Sequence, residues 1–296
     1  MIRQKRMSRA YRRPANARFR AQRLSAGTLK TLSLTEPVYE SGRSGSEEAH
    51  VSCQPQGQTG SPKMMTLIET SLPRPGRRFE PVQERELHGT AVSACASLPG
   101  THRGLTVVSE MAGPFGVPDF TALVGDSSRL VRRRALGIGP VTNDVDAGIV
   151  AVLSSSLGRT EAWIASRLGW PVSTVHRRIP GLLRTQAINE VRPGRYVRHP
   201  GLGPIGRLYA VEAKINDWTS ALRQVRTYRV WADSYVLVMG KLSMQILAKL
   251  SPEVARDAGG LVVNSEWLIR PRLGRVAPYR RLQAAEYFAA ASWAKD

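Results

Sequence analysis

The chain has 296 residues, 42% of them hydrophobic, which is room for about two domains and at least one sizeable core. Its formal net charge of +20, carried overwhelmingly by arginine, points to a polyanion, most often nucleic acid; an anionic membrane surface also fits the charge, but no apolar run approaches the ~18 residues of a spanning helix. Two cysteines, Cys53 and Cys95, exclude a disulfide framework and a cysteine-spaced zinc site, and a reduced cytoplasm is the simplest compartment.

Residues 1–30 hold ten Lys/Arg and no acid, and residues 31–65 are rich in Ser, Gly, Gln and Pro. Neither stretch has a sustained apolar period, so residues 1–75 read as a disordered basic tail. Such a tail suits a nucleic-acid arm. It equally suits a functionless extension or a start of translation upstream of Met64 or Met65; a transit peptide ranks lower, because the apolar face is poor.

Glu84 to Leu98 reads as a helix covering a sheet, and Leu105 to Met111 as a strand. Gly113-Pro114-Phe115-Gly116 is turn chemistry, after which Val117 to Val124 returns as the second strand of a hairpin. Residues 129–143, with Arg129, Arg132, Arg133 and Arg134, read as a basic linker, a solvated connector before a phosphate contact.

Residues 144–200 carry eight arginines to four acidic residues. Asp144 is placed to cap a helix bearing Ile149, Val152 and Leu153. Thr160 caps a second, whose Trp163, Ile164 and Leu168 face inward, and Gly169-Trp170-Pro171 makes a turn. A third helix begins at Ser173 and is expected to kink or end at Pro180, which removes a backbone bond and clashes with the preceding turn. Ala187–Arg192 and Arg195–Arg198 form a hairpin around Pro193-Gly194. This order resembles the winged helix-turn-helix of bacterial regulators. The resemblance implies that Thr174 or His176 reaches bases and that Arg177, Arg178, Arg184, Arg195 and Arg198 contact phosphates. The alternative is a helical insert used for protein contacts. Gly201-Leu202-Gly203-Pro204-Ile205-Gly206 matches G-x-G-x-x-G by letter, but a hairpin precedes it and a strand follows, so it reads as a linker.

Leu208 to Ile215 is a strand that ends on Glu212-Ala213-Lys214, and residues i and i+2 of a strand share a face. Asn216 or Asp217 caps a helix through Trp231, with Leu222, Val225 and Val230 toward the sheet and Gln224 and Tyr228 on one edge. Tyr235–Met239 is a buried strand, Leu242–Leu250 a short helix, Gly259–Val263 a further strand and Tyr279–Ala294 a closing helix. This alternation indicates an α/β layer structure over residues 76–128 and 204–296, interrupted by the insert.

Pro118-Asp119, Glu212-x-Lys214 and Gln224-x-x-x-Tyr228, in that order, resemble the PD-(D/E)xK nuclease superfamily and its RecB-like subgroup. The resemblance covers roughly residues 105–125 and 205–270 and departs from the usual pattern in the long separation of Asp119 from Glu212. It implies a restriction-endonuclease-like mixed sheet flanked by helices, and a Mg²⁺ or Mn²⁺ ion on Asp119, Glu212 and the Ala213 carbonyl, with Glu110 as a further carboxylate. Lys214 would face the attacking water, and Gln224 and Tyr228 would brace Lys214 or the scissile strand. The expectation is a metal-dependent DNA endonuclease, acting as a monomer or homodimer, whose inserted module grips DNA beside the catalytic strands. A DNA-binding transcriptional regulator that keeps the scaffold without cleavage, or an interaction protein with neither activity, stands against it.

Overall fold

The computed structural model describes residues 29–33, 64–69 and 82–294. The basic segments proposed as an arm therefore lie mostly outside the described residues. Two strands nevertheless come from the expected tail: β1 (Leu29–Ser33) and β2 (Met64–Ile68). The expected boundary at residue 75 is corrected accordingly, because Met65, Leu67 and Ile68 are buried against the sheet.

α1 (Val82–Ala96) precedes the hairpin of β3 (Leu105–Ser109) and β4 (Phe120–Val124). Next come α2 (Ser128–Ala135), α3 (Asp144–Val152), α4 (Glu161–Leu168), α5 (Val172–Arg184) and the hairpin β5 (Ile188–Arg192) and β6 (Arg195–Arg198). The chain returns through β7 (Arg207–Lys214), α6 (Trp218–Tyr228), β8 (Ser234–Met239), α7 (Met244–Arg256), β9 (Gly260–Val263), β10 (Glu266–Ile269) and α8 (Pro278–Trp293).

Eight strands form one mixed sheet in the order β1-β2-β3-β4-β7-β8-β9-β10. β4 is antiparallel to β3 and β7, whereas β7, β8 and β9 run parallel. The central strands are apolar on both faces because helices cover both. Ala91, Cys95 and Leu98, on and just after α1, pack with Val107, Val211, Val236 and Val238. Leu222, Val225 and Phe288 of α6 and α8 pack with Val108, Ala210, Tyr235 and Leu237 on the other face. Val230 does not join them; it lies past the end of α6 and is 46% exposed.

The insert has its own core of Ile149, Ile164, Val175, Ile179, Leu182, Ile188 and Tyr196. Asn143 rather than Asp144 caps α3, accepting from Val145 N and Asp146 N. Thr160 caps α4 as expected, and Gly169 closes it in the left-handed conformation. The early end allowed for at Pro180 does not occur, and α5 runs through it. A proline inside a helix costs ~3 kcal/mol, but burying Val175, Ile179 and Leu182 on either side of it returns ~1.5–3 kcal/mol each.

The expected basic linker is also corrected. All four of its arginines lie on α2, and Arg133 is 1% exposed. Its guanidinium donates to Glu286 Oε1 at 2.6 Å, to Glu286 Oε2 and to the Gly139 carbonyl. Glu286 Oε2 in turn accepts from Val141 N at 2.8 Å. This ion pair fastens the root of the insert to α8, and α3 packs along the same helix.

Candidate functional site

Asp119 enters the site because Pro118 holds off the start of β4, whose ladder begins at Phe120. Trp231 Nε1 donates to the Phe115 carbonyl at 2.9 Å and pins the loop that delivers Asp119. Opposite, Glu110 N donates to the Asp119 carbonyl at 2.9 Å, and Glu110 has a left-handed φ of 50°. That conformation is costly for a residue with a Cβ, and it turns the chain out of the sheet directly across from Asp119.

Glu212 and Lys214 lie on β7, on the face that α6 and α8 cover. Antiparallel pairing of Phe120 with Val211 sets Asp119 beside the β7 segment that carries both. Asp119 Oδ2 accepts from Ala213 N at 2.7 Å. Lys214 Nζ is 3.4 Å from Glu212 Oε1. All three are buried, at 3%, 1% and 6% exposure for Asp119, Glu212 and Lys214. The structure thus brings together residues that stand 94 positions apart in the chain.

Asp217 caps α6 by accepting from Ser220 N, which directs the helix back across β7. Tyr228, near its end, donates to Glu212 Oε2 at 3.0 Å, with the Val117 carbonyl 3.2 Å away. Tyr228, expected with Gln224 to brace Lys214 or the scissile strand, thus braces Glu212. Gln224 Oε1 is buried with no hydrogen-bond partner.

Among the described residues, no three His, Cys, Asp or Glu side chains gather closely enough to hold a metal ion. Glu110 therefore does not complete a cluster with Asp119 and Glu212. What remains is a pair of hard carboxylates and a backbone carbonyl. The N–H and C=O of a strand residue leave the same edge, so the Ala213 carbonyl faces the side on which its N–H meets Asp119. Two carboxylates, a carbonyl and water are a donor set that suits Mg²⁺, which keeps several waters when bound. Among the described residues the one thiol, Cys95, does not compete for the chemistry here, since burial pushes it up to about 12 and leaves it protonated at neutral pH.

The insert does not begin beside Asp119 and Lys214. Its ends leave from Val124 and return at Arg207, which are paired at the opposite end of β4 and β7. With ~3.3 Å per strand residue, the root of the insert is ~15 Å from the carboxylates.

On the insert, Arg177, Arg184, Arg195 and His176 are exposed, and Thr174 is half-buried. His176 Nδ1 lies 3.0 Å from Glu161 Oε2, and Arg177 Nε donates to the Ser173 carbonyl at 3.3 Å. Two of the arginines expected at phosphates also have structural surroundings within the insert. Arg178 grips Asp146 with both Nε and Nη2, so it ties α5 to α3. Arg198, the last residue of β6, is partly buried, with Nε enclosed. Arg159, overlooked in the sequence, stacks 4.3 Å over the Trp163 ring and joins Tyr196 through backbone bonds.

No protein-family model, no curated protein and no solved structure matches the chain. Among the described residues, no helix is long and apolar enough to cross a membrane.

Proposed function

We propose that the chain is a metal-dependent DNA endonuclease of the PD-(D/E)xK kind, with residues 144–200 acting as a winged helix-turn-helix that grips DNA. The observation that carries this reading is the buried trio Asp119, Glu212 and Lys214 on one sheet face. Two carboxylates and a lysine need a reason to share an interior, because each buried charge costs several kcal/mol before pairing. The three helices, the hairpin and the exposed Arg177, Arg184 and Arg195 support the DNA-gripping part.

Asp119, Glu212 and the Ala213 carbonyl would hold Mg²⁺ or Mn²⁺. The ion supplies a polarised phosphoryl oxygen and a water of lowered pKa. Tyr228 fixes the rotamer of Glu212, so that its carboxylate is oriented before substrate arrives. Ala213 N does the same for Asp119. Lys214 puts an ammonium at the edge of this pair, where it orients the attacking water or stabilises charge building on the phosphate. Burial raises the strength of each of these interactions by keeping bulk water out.

The test is cleavage of linear duplex, single-stranded and branched DNA by the full chain in Mg²⁺, Mn²⁺ or EDTA, beside Lys214→Ala and Asp119→Ala. Cutting that requires the metal and is lost in both variants supports the reading. DNA binding without cutting under any metal overturns it and leaves a DNA-binding regulator built on the same scaffold.

A further inference from the structure

We infer that the cleft at the root of the insert is a second phosphate-binding site, separate from the carboxylates and suited to the phosphates of a nucleic-acid strand. The cleft has a volume of about 510 Å³ and opens where the chain leaves β4 and re-enters β7. One wall is the turn before β3, carrying His102 and Arg103; the others carry Arg129 and Arg207. Three guanidinium groups thus face a single carboxylate, Asp126.

Asp126 is turned to structural work. Its Oδ1 accepts from Ser128 N at 2.9 Å, and Oδ2 lies 3.9 Å from Arg132. Arg103 and Arg207 are exposed. Arg129 is anchored by one bond, from Nη1 to the Pro204 carbonyl at 2.9 Å, and a guanidinium carries five N–H donors. The fork geometry of arginine matches phosphate oxygens, and charge-assisted bonds of this type are the strong ones.

The backbone keeps the cleft open. Gly125 and Gly206 cross at φ values of 147° and 131°. A Cβ on Gly206 would lie 2.6 Å from the Val124 carbonyl oxygen, and one on Gly125 would lie 2.9 Å from Gly206 Cα. Larger residues here would force the two chain segments apart and deform the floor on which Arg129 and Arg207 stand. The cleft is ~15 Å from the carboxylates, on the order of four base-pair steps at 3.4 Å of rise. A strand could occupy both at once, but the inference does not rest on cleavage.

The test is arginine modification of the full chain by phenylglyoxal in EDTA, read residue by residue by mass spectrometry. Inorganic phosphate, a 5′-phosphorylated single-stranded oligonucleotide and chloride at matched ionic strength are compared. Several-fold protection of Arg103 and Arg207 by phosphate and by the oligonucleotide is the expected result, with Arg275, which is exposed but outside the cleft, unchanged in the phosphate arm. Protection by the oligonucleotide alone supports the site and assigns it to strand phosphates. Equal modification in every arm, or equal protection by chloride, overturns it. Arg103→Glu, at an exposed side chain, should lower the protection of Arg207 and Arg129 several-fold without lowering the melting temperature. Asp119→Asn should leave protection intact, so that failure at the carboxylate site and failure here are told apart.

Discussion

Tyr228 donates its hydroxyl hydrogen to Glu212 Oε2 at 3.0 Å, and this bond ties the end of α6 to the C-terminal part of β7. A hydrogen bond to a charged group contributes about 1.5–3 kcal/mol, and here the acceptor is buried. Tyr228→Phe keeps the ring and removes the bond. Chemical denaturation should show a loss of that size with an unchanged m-value, and DNA cleavage should fall by about 10–100-fold, as when a partner of a metal ligand is removed.

Arg133 and Glu286 form the buried pair at the root of the insert. Breaking such a pair from one side leaves a buried charge and costs about 3–5 kcal/mol, whereas replacing both partners with apolar groups is often neutral or stabilising. Arg133→Met should therefore lower the melting temperature sharply, and Arg133→Met with Glu286→Leu should recover most of it. A double variant no better than the single one would show that the Gly139 carbonyl and Val141 N–H, rather than the charges, dominate.

Adjacent arginines on α5 should behave differently. Arg177 is exposed and Arg178 is committed to Asp146. Arg177→Ala should weaken DNA binding across sequences and reduce the salt slope by about one. Arg178→Ala should chiefly destabilise the insert, seen as a lower melting temperature with a smaller change in that slope.

His199 acts as a pH-sensitive cap. Its Nδ1 accepts from Gly201 N at 3.0 Å, which requires the neutral ring. Burial, and then the Arg133 guanidinium, hold its pKa below the ordinary histidine value of 6.5. The folded state therefore binds this proton less readily than the unfolded chain. The stability His199 contributes is present above pH 6.5 and is lost as the pH falls through its folded pKa. Stability measured from pH 7.5 down to 5 should decline less in His199→Asn, whose amide oxygen can accept the same bond without titrating.

The α/β alternation, the β3–β4 hairpin, the buried run of β7 and the caps at Thr160 and Asp217 are legible in the sequence, because local rules of period and capping govern them. The position of Glu212 and Lys214 on one face follows from the two-residue period of a strand. The meeting of Asp119 with Ala213 does not, since it depends on the register between β4 and β7 across the whole insert. β2 is an isolated apolar run at the end of a stretch rich in Ser, Gly, Gln and Pro, and β10 alternates only partial exposure, so neither announces itself. Pro180 is decided by the core on either side of it rather than by its own preference.

Sequence alone determined the class of fold, the candidate carboxylates and lysine, and the basic character of the chain, because these are properties of residue type and spacing. Only the tertiary structure decided which arginines are available. Arg133 and Arg178 look identical to Arg129 and Arg177 along the chain, yet packing buries Arg133 against Glu286 and pairs Arg178 with Asp146. It also placed the root of the insert at the far end of the strands from Asp119, because antiparallel pairing sends the end of β4 and the start of β7 to the same edge.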